Sequence, residues 1–145
     1  MLAGASSTGG AILAKLMAAM SANSAEDVAA LYTDDCVISD PLMKTTGREG
    51  LFEALRAFFA AFRIEAIAVE EFAEDPPHLV ALCSWTVTHQ GEYLGVTASG
   101  RRLDTWNVMW LGVRDGLISR DTSVWDASQL RRLEALRCED GATGM

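Results

Sequence analysis

The hydrophobic period of this chain changes from helical to strand-like at Arg63 and stays strand-like to Trp125, and no other feature narrows the choice of fold as much. Ile64 to Phe72, Leu79 to about His89, Arg102 to Val113 and Leu117 to Trp125 read as four consecutive antiparallel strands. Between them lie a turn at Asp75-Pro76-Pro77, a Gly-punctuated loop from Gly91 to Gly100, and a tight turn at Arg114-Asp115-Gly116. Before Arg63 the period is helical. Ile12, Leu16, Met17 and Met20 share one face of a helix from about Ala11 to Ala22. Ser24 with Asp27 opens a shorter helix ending near Tyr32. Thr46 with Glu49 forms a capping box ahead of the most strongly amphipathic stretch, Arg48 to about Phe62, whose Leu51, Leu55, Phe58, Phe59 and Phe62 should cover the main core. Asp126 with Gln129 starts a terminal helix, Ala127 to about Arg137.

Helices first and a meander of long strands afterwards predict an α+β fold, a curved antiparallel sheet wrapped around helices to give a cone. The open end of such a cone is a natural pocket for a small apolar molecule. The 145 residues suit one domain, here 11–138, with a flexible N-terminus at 1–10 and a frayed tail at 139–145. A formal charge of -8 argues against a nucleic-acid or anionic-membrane surface, both of which need clustered Lys and Arg. Cys36, Cys83 and Cys138 are far apart, form no CxxC pair and are accompanied by only two histidines, so neither a metal site nor a disulfide framework is expected, and the cytoplasm is the expected compartment. Ala11-Ile12-Leu13-Ala14 is broken by Lys15 and too short to cross a bilayer.

Between the short helix and the capping box lies Cys36-Val37-Ile38-Ser39-Asp40-Pro41. Its β-branched pair favours a strand, and Pro41 turns the chain away, leaving the Asp40 carboxylate at a strand end. Facing an apolar cavity, such a group is a usable proton acceptor; facing solvent, it caps a turn.

Three segments together resemble the nuclear transport factor two-like superfamily, which includes ketosteroid isomerases, limonene epoxide hydrolases, scytalone dehydratases and SnoaL-like polyketide cyclases. They are Leu31-Tyr32-Thr33-Asp34-Asp35 running into Ser39-Asp40-Pro41, Thr46-Gly47-Arg48-Glu49, and Asp115-Gly116-Leu117-Ile118 leading to Val124-Trp125-Asp126. The resemblance implies the cone fold over nearly the whole chain. It places Asp40 where ketosteroid isomerases keep a general base, and Asn107 where they keep a protonated acid of the oxyanion hole; Leu16 stands where they supply a tyrosine. The epoxide hydrolase pattern of an Arg and two carboxylates does not match Leu82 to His89, and Ser123 stands at the position of its acid. Thr88-His89-Gln90-Gly91-Glu92, Thr97-Ala98-Ser99-Gly100-Arg101 and Trp125-Asp126 resemble the SnoaL-like cyclases, which deprotonate a carbon acid beside carbonyls without a cofactor.

Alternate strand residues share a face, so Asp121, Ser123 and Trp125 lie together, and the turn before them decides their neighbours. A two-residue turn sets Asp121 with Trp106 and Trp110; a three-residue turn, which the resemblance favours, sets it with Thr105, Asn107 and Met109. The expected site is therefore Asp40, Asp121, Asn107 and His89 as catalytic groups, with Trp125, Ser123, Thr105, Met109 and Trp85 against the substrate. Each has a plainer role open to it: Asp121 paired with Arg120 or Arg102 on the surface, Trp125 in the core, His89 in a solvated loop. Glu65 is a further ionisable residue of undecided facing. Trp106 and Trp110, on the outer face, call for a cover that a homodimer would supply. The expected activity is enolate chemistry on an apolar carbonyl compound, by cyclisation or isomerisation. A hydrolase or dehydratase of the same fold, and a non-catalytic binding or dimerisation module, are the alternatives.

Overall fold

A computed structural model describes residues 7–133. Three helices, α1 (Thr8–Ser21), α2 (Ala25–Ala29) and α3 (Arg48–Ala61), are combined with six strands: β1 (Tyr32–Ser39), β2 (Lys44–Thr46), β3 (Phe62–Asp75), β4 (His78–His89), β5 (Arg102–Arg114) and β6 (Leu117–Trp125). The strands form one curved, unclosed sheet in the order β2-β1-β6-β5-β4-β3. The α+β fold is as expected. Two features were not: the three-residue edge strand β2, too short and polar to show a period, and the parallel pairing of β1 with β6. That pairing carries the Asp40 segment to the strand that holds Asp121, with Ile38 opposite Asp121.

Several boundaries moved for identifiable reasons. α1 begins at Thr8, inside the stretch expected to be flexible, because the Ser7 hydroxyl accepts a hydrogen bond from the Gly10 amide. The Ser24 hydroxyl caps α2 as predicted, accepting from the Asp27 amide at 3.1 Å, but the helix ends at Ala29 and Tyr32 opens a strand instead. The Thr46–Glu49 capping box does not form. Gly47 is the N-cap, with φ +87°, and its amide donates to the Cys36 carbonyl at 2.7 Å. Arg48 then donates to the Tyr32 carbonyl at 2.6 and 3.0 Å and pairs with Asp34 at 2.8 Å, fastening the start of α3 to β1. After β6 the chain is helical over 128–133, started by Asp126, whose Oδ1 accepts from the Ser128 amide. The rest of the expected terminal helix, the tail and residues 1–6 lie outside the described residues.

Register shifts between Ile64 and Ala66 and between Val69 and Glu71 are bulges in β3, the device by which a strand bends. The concave face so made is filled from α1 and α3. Ile12, Leu13, Leu16 and Leu51 pack with Leu79, Ala81, Met109 and the fully buried Leu111 and Ile118. Asn23, at φ +54°, closes the corner between α1 and β3: its amide group accepts from the Ile64 N–H at 2.7 Å and donates to the Ile64 carbonyl at 3.1 Å.

The β5–β6 hairpin sets the geometry of the site by a route the sequence did not suggest. Asp115 and Gly116, at φ +53° and +76°, form a two-residue turn with Arg114 opposite Leu117. Left alone, this turn would turn Asp121 outward. A bulge follows: Val113 pairs with Ile118 but Gly112 pairs with Arg120, so Ser119 is an extra residue and every side chain beyond it changes face. Gly112 suits the bulge, since the Arg120 Cβ lies 3.4 Å from where its own Cβ would be. Leu111 then faces Asp121, Met109 faces Ser123 and Asn107 faces Trp125.

Candidate active site

On the concave side, β4, β5 and β6 enclose with α1, α3 and the 90–101 loop a cavity of about 240 Å³. Asp40, Asp121, Asn107, Thr105, Met109, Ser123, Trp125 and Trp85 all line it, among apolar residues from α1 and α3 such as Met17, Leu55 and Phe58. Glu65 and Asp104 lie on the exposed face and accept hydrogen bonds from Thr88 and Thr86.

Asp121 is the centre of the polar network. Only 7% of it is exposed, yet both carboxylate oxygens are satisfied: the Tyr32 hydroxyl donates to Oδ2 at 2.6 Å and the Ser123 hydroxyl to Oδ1 at 2.7 Å. Ser123 can do this because residues two apart on a strand share a face. Burial pushes the Asp121 carboxyl above the ordinary carboxylate range; the two hydroxyls oppose that and the nearby charge of Asp40 adds to it. Tyr32 is raised well above the ordinary phenol range, first by burial and then by the Asp121 charge.

Asp40 combines both roles open to it. Its Oδ1 accepts from the amides of Leu42 and Met43 at 2.7 and 2.9 Å, which holds the turn after β1, and the half-buried side chain also lines the cavity. Asn107 is oriented by Trp85, whose indole N–H donates to Oδ1 at 2.7 Å. An indole N–H cannot accept, so the amide oxygen must face it, leaving the NH₂ group as the free donor of Asn107. The two residues are diagonal neighbours, since Trp85 lies opposite Thr105 and Cys83 opposite Asn107. The Thr105 hydroxyl is buried without a hydrogen-bond partner.

Residues 11–132 match the SnoaL-like polyketide cyclase family. The chain belongs to that family. No curated protein sequence matches it. A candidate SnoaL-like polyketide cyclase from Jannaschia sp. CCS1 has a similar structure, with TM-score 0.79 and 18% identity over 88% of this chain and 92% of that one. AclR from Streptomyces galilaeus, a candidate hydroxylase, superposes with TM-score 0.71 and 20% identity, covering 86% of this chain and 83% of that one. A candidate isomerase from Bacillus subtilis gives TM-score 0.73 and 12% identity, covering 86% and 93%. Likeness at these identities establishes the shared fold.

In this SnoaL-like chain His89 is not at the cavity. It is fully buried and stacks on Phe62, which does line the cavity, with ring centroids 4.9 Å apart. Its Nδ1 accepts from the Ser99 amide at 3.2 Å, and burial lowers its pKa, so the ring is neutral and serves to hold the 90–101 loop against the sheet. Two tyrosines that line the site, Tyr32 and Tyr93, are not among the residues the sequence points to. From the sequence Tyr32 reads as a helix end, although a buried tyrosine needs a partner for its hydroxyl and the buried Asp121 needs a donor. Tyr93 reaches the cavity from a tight turn in which Leu94 and Gly95 have φ +50° and +84°. Among the described residues no cluster of His, Cys, Asp and Glu is arranged to hold a metal ion, and no helix is long and apolar enough to cross a membrane.

Proposed function

We propose that this SnoaL-like protein is a cofactor-independent acid–base enzyme that forms an enolate from a mostly apolar carbonyl compound and directs it to cyclisation or isomerisation. The observation that carries this reading is a buried carboxylate, Asp121, held in an apolar cavity with its pKa raised. A carboxylate of raised pKa is a stronger base, and one facing an apolar cavity meets its substrate without competing water. In this mechanism Asp121 takes a proton from the carbon beside the carbonyl. The Asn107 NH₂ group, and the Thr105 hydroxyl that has no other partner, donate to the oxygen on which charge develops. The enolate carbon then attacks an electrophilic carbon of the same molecule, or is reprotonated at a different carbon, and the proton on Asp121 returns to product. Asp40, at the end of the strand paired with β6, is the second carboxylate, able to accept or deliver a proton. His89, away from the cavity, has no role in these steps.

The test is exchange of α-protons for deuterium in D₂O, followed by proton NMR for a panel of cyclic ketones and 1,3-dicarbonyls. Asp121→Asn should slow exchange by about 10² to 10⁴-fold, the usual contribution of a positioned general base. Exchange at the wild-type rate in Asp121→Asn and in Asp40→Asn would end the proposal.

The outer sheet face supports an assembly proposal as well. Trp110, Trp106, Val124 and Val80 are 58%, 50%, 54% and 40% exposed on adjacent strands. A second copy of the chain, docked face to face about a two-fold axis, would cover them, because such an interface sets the same apolar patch against itself. Sedimentation of a dimer by the wild type and of a monomer by Trp110→Lys is the expected result; a wild-type monomer at high concentration would contradict it.

A further inference from the structure

The charge of the cavity wall is one-sided. Its ionisable lining is Asp40 and Asp121 with the phenols Tyr32 and Tyr93, and among the described residues no Lys, Arg or His faces the space. Neither carboxylate has an ion-pair partner among those residues. The charge of Asp40 disfavours the charged forms of both Asp121 and Tyr93. An anionic ligand would add a third charge of the same sign in a place with little water. A cation would offset the cost of holding both carboxylates ionised.

Tyr93, which feels the charge of Asp40, and its neighbouring rings suit such a cation. Tyr93 stands at 87° to Phe58 and 73° to Phe62, with centroids 6.1 and 5.3 Å away; Phe62 is stacked on His89 and packs at 31° on Phe58, so the corner open to a ligand is the one between the Phe58 and Tyr93 rings. Ring faces carry negative electrostatic potential, and walls of this kind hold alkylated ammonium groups. The chain's charge of -8 draws cations toward the mouth before any contact is made.

We propose that the cavity selects its ligand by charge, taking a compact molecule that carries a protonated or quaternary amine, with the ammonium group between the Phe58 and Tyr93 rings and facing Asp40. This rests on the cavity being the substrate site, and it makes the substrate of the enolate reaction an amine-bearing carbonyl compound. The shape of the pocket alone would not distinguish an N-trimethyl group from a tert-butyl group. The charge of the wall does.

Binding is therefore compared for choline and its neutral isostere 3,3-dimethylbutan-1-ol, by ligand-observed NMR titration at fixed ionic strength. Choline should bind about tenfold more tightly, as expected for a cation–π site with a facing carboxylate. Asp40→Asn should reduce the preference to about twofold or less. The asparagine Oδ1 can still accept from Leu42 and Met43, so the turn should survive, and circular dichroism checks that it does. Phe58→Leu, which keeps the packing apolar, should weaken choline more than the alcohol. Equal affinity of the two probes for the wild type, or a choline preference that persists in Asp40→Asn, would overturn the inference. No turnover enters these titrations, so the two proposals fail separately. Choline selectivity without deuterium exchange in any ketone would leave an ammonium-binding site and remove the enzyme; exchange without selectivity would do the reverse.

Discussion

Tyr32→Phe tests the polar centre of the site with the least disturbance, because it deletes one hydroxyl and keeps the ring that packs in the core. The hydroxyl donates to a buried carboxylate at 2.6 Å. A hydrogen bond to a charged group is worth about 1.5–3 kcal/mol, whereas one between neutral groups is worth about 1 kcal/mol. The variant should therefore be destabilised unequally across pH. Asp121 has a folded-state pKa above its unfolded value, so it contributes stability at acid pH that is lost as pH rises through the folded pKa. Tyr32 limits that loss by favouring the ionised form. Without it the Asp121 pKa climbs further, because the hydroxyl that favours the ionised form is gone, and the loss on the alkaline side deepens. Urea unfolding of wild type and variant at pH 4 and pH 8 should give a destabilisation of about 1 kcal/mol at the lower pH and about 1.5–3 kcal/mol at the higher. In an Asp121→Asn background the difference between the two pH values should vanish. A destabilisation that is the same at both pH values, and the same with or without the carboxylate, would show that Tyr32 is packing only and refute the reasoning.

Two other substitutions probe the supports of the site. Trp85→Phe removes the donor that fixes the Asn107 amide, so kcat should fall roughly tenfold with little change in KM, an effect of about 1–1.5 kcal/mol on the transition state alone; a rise in KM at constant kcat would assign Trp85 to simple substrate contact. Gly47→Ala places a side chain at φ +87° and should cost about 1–2 kcal/mol in chemical denaturation, loosening the start of α3 against β1; unchanged stability would show that the cap adapts.

The order of elements and the curved α+β fold were legible because strand and helix periods differ and the boundary at Arg63 is sharp. β6 runs from Leu117 to Trp125 as read, since an Asp-Gly turn marks its start and its β-branched and aromatic residues its length. The set Asp121, Ser123, Asn107, Thr105 and Met109 was placed on one face, and all five line the cavity, but the expected cause was different. A three-residue turn was expected; a two-residue turn followed by the Ser119 bulge has the same effect on facing. Bulges depend on how two strands fit across their pairing, and one strand's sequence carries little sign of them. The parallel β1–β6 pairing is likewise a contact between segments about 80 residues apart. Without it Tyr32 has no visible link to Asp121. The resemblance of Thr88-His89-Gln90-Gly91-Glu92 to the SnoaL-like cyclases brings His89 into the expected site, and burial against Phe62 takes it out.

The central claim is that Asp121 is the base. It is tested most directly by measuring the pH dependence of α-proton exchange beside the titration of the Asp121 carboxyl carbon by ¹³C NMR. Both curves should rise through the same midpoint, above the ordinary aspartate range, and Tyr32→Phe should move both upward together. An exchange profile that rises at a different pH from the Asp121 titration, or that stays in place when Tyr32→Phe moves that titration, would contradict the account.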